Sequence, residues 1–77
     1  MMKKSNVIFG IKGEPAKGTI FQDREEGIKL TYEPNWQVIS FWDDEDVLYD
    51  HLDCANFTDW NSVRRELKSE YGIDLSL

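Results

Sequence analysis

The stretch Ile28-Lys29-Leu30-Thr31-Tyr32-Glu33-Pro34-Asn35 decides the fold. Ile28, Leu30 and Tyr32 alternate with Lys29, Thr31 and Glu33, the period of a strand with one face buried and one in water. A clean alternation of this kind belongs to an antiparallel sheet. Pro34 then fixes φ at the second position of a turn and Asn35 tolerates the next, so the chain reverses.

The segment before it reads the same way. Asp23 to Gly27 is a polar hairpin connection ending in glycine. Gly18 to Gln22 is a short strand, predicted to hold Thr19 and Phe21 on one face. Gly13-Glu14-Pro15 breaks the chain ahead of it, and Val7, Phe9 and Ile11 alternate as a further strand. The segment after it, Trp36 to Trp42, is apolar on both faces: Trp36, Val38 and Trp42 on one, Ile39 and Phe41 on the other. Such a strand is central, or one of its faces meets a partner. Asp43 to Asp46 is the next connection. Val47 to Leu52 alternates as a strand, although Leu48 and Leu52 also form an i, i+4 pair suited to a short helix. The strand reading is preferred.

A helix closes the chain. Thr58 is the expected N-cap and Asp59 suits the positive end of the dipole. Trp60, Val63, Leu67 and Tyr71 form one apolar stripe. Gly72 stops the helix, and Ile73 can fold back on Leu67. Ile73, Leu75 and Leu77 alternate with Asp74 and Ser76, so a short terminal strand is expected. The predicted architecture is α+β: a four- or five-stranded antiparallel β-meander with one C-terminal α-helix packed on one face, all within a single small domain over residues 1–77.

The composition fits a folded chain with a thin core. It holds 77 residues, 40% of them hydrophobic, with three tryptophans. A chain of about 60 residues buries only about 60% of its unfolded surface, and this one is little longer. Cys54 is the single cysteine, so no internal disulfide forms, which fits a reducing compartment. No stretch approaches the ~20 apolar residues that span a bilayer, and the run after Lys3 and Lys4 is too short for a signal peptide. The expected location is the cytoplasm, with no membrane partner.

Charge carries the functional reading. The formal net charge is −6, and residues 34–59 hold seven acids with no Lys or Arg. A chain so charged does not bind a phosphate backbone over its whole surface, but it can present a negative patch to a basic partner. Asp43, Asp44, Glu45, Asp46 and Asp50 gather in one hairpin beside Trp42 and Tyr49. Aromatic rings beside charges are a common interface composition. These seven residues are the expected partner-binding site of a non-enzymatic module, an inhibitor or regulator of a basic, nucleic-acid-binding protein. The plainer alternative is that the acids only keep strand ends soluble and unpaired.

A second reading takes Tyr32, Trp36, Phe41 and Trp42 as a stacking platform for single-stranded nucleic acid, flanked by Lys3, Lys4, Lys12 and Lys17. The net charge opposes it. An uncovered sheet face bearing Trp36, Val38 and Trp42 would also favour a homodimer.

Other chemistries lack their residues. His51 and Cys54 are the only His and Cys, and the acids around Cys54 raise a thiol pKa rather than lower it. Two such ligands fall short of a zinc cage, and Asp43–Asp46 lacks the glycine and distal glutamate of an EF-hand loop. In Gly13-Glu14-Pro15-Ala16-Lys17-Gly18-Thr19 the lysine precedes the second glycine, unlike a phosphate loop. No catalytic residue, metal or cofactor is expected.

Overall fold

The computed structural model describes residues 11–75. Four strands, β1 (Gly18–Asp23), β2 (Ile28–Glu33), β3 (Val38–Trp42) and β4 (Leu48–Asp53), precede one helix, α1 (Trp60–Tyr71). The sheet is antiparallel in the order β1-β2-β3-β4, so each strand pairs with its neighbour in sequence. The expected α+β meander with a C-terminal helix is present. The expected strand over Val7–Ile11 falls outside the described residues except for Ile11, which is buried.

Register divides the sheet into two faces, because directly paired residues point the same way. Leu30 pairs with Phe21 and Phe41, and Ile39 pairs with Tyr32 and Leu52. This inner face meets Val63 and Leu67 of α1, with Ile11, Cys54 and Ile73 completing the core. Tyr32 packs edge-on against Trp60 at 5.0 Å, and Phe41 lies 4.7 Å from Tyr71, between ring centroids. The outer face carries Lys29, Thr31, Val38, Ser40, Trp42, Leu48 and His51.

Four local readings are corrected. Pairing shifts between Thr19 and Phe21, so Ile20 is an extra residue in β1. Thr19 therefore pairs with Thr31 on the outer face while Phe21 joins Leu30 on the inner one. A bulge breaks the two-residue period, which is why the two do not share a face. Trp36 lies in the β2–β3 turn and not in β3: its N–H donates to the Glu33 carbonyl, and Gln37 takes a positive φ of 52°. Asp59 caps α1 in place of Thr58, because its carboxylate accepts the Ser62 N–H at 2.9 Å from extended backbone. Past Gly72, the described residues 73–75 add no strand. Gly72 has a φ of 70°, its N–H reaches the Lys68 carbonyl, and Ile73 bonds to the Leu67 carbonyl, so the tail folds back onto the core.

Candidate functional site: the acidic end of the sheet and the β4 edge

The β3–β4 turn is built by one of its own acids. The Asp43 carboxylate accepts the N–H groups of Glu45 (2.8 Å) and Val47 (2.9 Å). The Asp43 carbonyl accepts the Asp46 N–H, and Asp46 sits at a φ of 61°. Its carboxylate bridges across the sheet to Lys29 Nζ at 2.9 Å. Asp43 and Asp46 thus hold the turn. Asp44 and Glu45 are exposed, and among the described residues their side chains make no hydrogen bond or ion pair.

The meander adds acids that no sequence window joined to this turn. The β1–β2 turn lies at the same end of the sheet, where Asp23 accepts the N–H groups of Glu25 and Glu26. A Cβ on Gly27 would stand 3.3 Å from the Asp44 Cβ, so the two turns touch. A cleft of about 220 Å³ lies between them. Arg24 and Lys29 line this cleft with the acids, and the exposed Glu25 and Glu26 stand on the adjoining turn.

The predicted site residues do not all converge. Trp42 is half-buried on the outer face, its indole Nε1 donating to Thr31 Oγ1 at 2.9 Å. Tyr49 lies toward the helix side, 6.1 Å from the Phe41 ring. It is the extra residue of a second bulge, between the Trp42–Leu48 and Phe41–Asp50 pairs. Trp42 and Tyr49 therefore flank the hairpin from opposite sides. The apolar surface that adjoins the acids is Val47, Leu48 and Tyr49, exposed at 54%, 52% and 52%. These three straddle the rim of an edge strand.

Asp50 guards that rim. The Cys54 N–H bonds to the Gln37 carbonyl, so alternation along β4 turns the His51 N–H away from β3. The Asp50 carboxylate accepts that N–H at 2.7 Å. An edge group already bonded, beside a negative charge, disfavours pairing with the same strand of a second copy. Burial, then the charges of Asp50, Glu66 and Glu70, raises the pKa of the nearby Tyr71 phenol.

The other candidates fall apart on geometry. Tyr32 and Phe41 are buried on the inner face, so they cannot share a platform with Trp36 and Trp42. His51 is exposed on the outer face, paired with Ser40, whereas Cys54 is fully buried. Burial, then the Asp53 charge, pushes the Cys54 thiol up to about 12, against a bond from the Ile39 backbone. A thiol so placed stays protonated and weakly nucleophilic. Among the described residues, no group of three His, Cys, Asp or Glu is placed to hold a metal ion. No helix among them is long and apolar enough to cross a membrane. No protein-family model, curated protein or solved structure matches the chain.

Proposed function

We propose that the chain is a small, acidic, non-enzymatic protein-binding module that docks a basic partner protein on the β4 edge and the adjoining acidic turns. One observation carries this reading. Val47, Leu48 and Tyr49, each more than half exposed, adjoin two carboxylates, Asp44 and Glu45, that are unbonded among the described residues. Water disfavours the apolar part, and the carboxylates select and steer a basic partner toward it. The capped His51 N–H argues that the partner is held by side chains rather than by extending the sheet. The single-stranded nucleic-acid reading is weaker, because two of its four rings are core residues.

The test is capture from nuclease-treated lysate at low and high salt. Asp44→Lys with Glu45→Lys is the informative variant, since neither side chain holds the turn. The wild-type chain should retain a basic protein that salt releases. The double variant should stay folded and lose it, by at least tenfold in affinity on the scale of close interfacial charge pairs. Undiminished retention by the variant rejects the electrostatic reading. Capture that requires nucleic acid favours the alternative.

A further inference from the structure

The strongest surface outside the acidic end is a cationic flank of α1. Arg64 and Arg65 each stand three or four residues from Asn61 and from Lys68, and all four side chains border one hollow beside the helix. With Asp74, which the Gly72 turn brings back, they line a hollow of about 240 Å³. The neighbouring hollow, lined in part by Lys12 and Asp59, shares Asn61 and Arg64 with it. Among the described residues, four cations thus meet two carboxylates on this flank, in a chain of net charge −6.

Each arginine is oriented by an uncharged acceptor, although the Asp59 carboxylate lies near enough to Arg65 for their charges to interact. Arg64 Nη1 donates to Asn61 Oδ1 at 3.2 Å, and Arg65 Nη2 donates to Ser62 Oγ at 3.1 Å. Both acceptors are uncharged. Each guanidinium has five N–H donors in a fixed fork, so most of its donors remain for another acceptor. Lys68 meets Asp74 at 3.6 Å with both side chains largely exposed, a contact that contributes little. Asp59 is committed to the Ser62 N–H as the helix cap. Like charges at Arg64 and Lys68, four residues apart, work slightly against the helix, while Lys68 in the last turn suits the negative end of its dipole.

We infer that this flank is an oxyanion site that takes a phosphate group between Arg64, Arg65 and Lys68. Planar guanidinium forks match the tetrahedral face of phosphate through paired, charge-assisted bonds. The site is separate from the β4 edge and does not rest on that reading.

The experiment is a titration of the full chain with inorganic phosphate at low ionic strength, followed by side-chain and amide NMR shifts. Saturable shifts at Asn61, Arg64, Arg65 and Lys68 are expected, weakened about tenfold or more in Arg64→Gln/Arg65→Gln, as loss of charge-assisted bonds implies. Arg65 is exposed and Arg64 half-buried, and the amide spectrum reports whether the variant keeps its fold. Asp44→Lys/Glu45→Lys should leave these shifts unchanged. Shifts that do not saturate, that spread equally over Lys3, Lys4 and Lys17, or that survive in the arginine variant overturn the assignment. A parallel titration with a short single-stranded oligonucleotide separates sources. Tighter binding through the same three residues identifies a nucleic-acid phosphate, and an equal or weaker response identifies a free phosphate group.

Discussion

Two buried protons tie the stability of the fold to pH. The Tyr32 hydroxyl donates to Glu14 Oε1 at 2.6 Å, and the same oxygen accepts the Ile11 N–H at 3.3 Å. This contact fastens the segment before β1 to the inner face of β2. Burial, then the bond and charge of Glu14, with a smaller contribution from Cys54, raises the Tyr32 phenol above its ordinary value. Cys54 is raised to about 12 from an ordinary 9.0. Both groups are neutral in the folded chain, whereas the unfolded chain ionises them first. Above about pH 9 the unfolded state therefore binds fewer protons, and stability falls as pH rises. Urea midpoints should be flat from pH 7 to 8.5 and drop between pH 9 and 11. Cys54→Ala should delay the onset of that drop, because the thiol ionises before the phenol. A midpoint that is level to pH 11 would show that neither proton is held. The direction of the Cys54 shift was legible from its acidic neighbours, although burial is its larger cause; the Tyr32 bond was not. Tyr32 read as a core ring, and nothing in the spacing of Glu14 and Tyr32 pairs them.

At the scale of elements, periodicity was readable and its interruptions were not. Ile28–Glu33 alternates without a break, and its facing is as expected. The strand at Leu48–Asp53 also stands, with no short helix in its place. Thr19 changed face because Ile20 is an extra residue, and a bulge leaves no mark in composition. Trp36 left β3 because the connection from Glu33 to Val38 is two residues longer than a tight two-residue reversal, ending in the positive φ of Gln37. The helix cap moved by one position because Thr58 and Asp59 are both good caps, and only the backbone decides between them. That decision is testable. Asp59→Ala removes the oxygen that accepts the Ser62 N–H and should lower Tm by roughly 4–8 °C, the usual scale of a lost cap in a small domain. Thr58→Ala should change Tm by less than about 2 °C, since exposed positions away from such features are nearly neutral. Equal effects would place the cap elsewhere.

At the scale of the molecule, the acids of the β1–β2 and β3–β4 turns meet at one end of the sheet, whereas Asp53, paired with Val38, lies at the other. Their clustering within Asp43–Asp53 was visible in sequence, and their division of labour was not. Asp43 and Asp46 are structural, Asp50 covers an edge N–H, and Asp44 and Glu45 face solvent. Glu25 and Glu26, about twenty positions upstream, join them because a meander returns alternate turns to the same end. Trp42, expected beside Tyr49, lies across Thr31 on the opposite face. The hollow lined by Arg64, Arg65 and Lys68 shares no residue with the cleft between the acidic turns.

Amide hydrogen exchange of the chain, alone and saturated with its captured basic partner, tests docking at the β4 edge most directly. Docking there predicts added protection at Asp44, Glu45 and across 47–53, with 29–33 and 60–71 unchanged. Protection confined to the outer-face positions of β2 or to α1, with 44–53 unaltered, would contradict it.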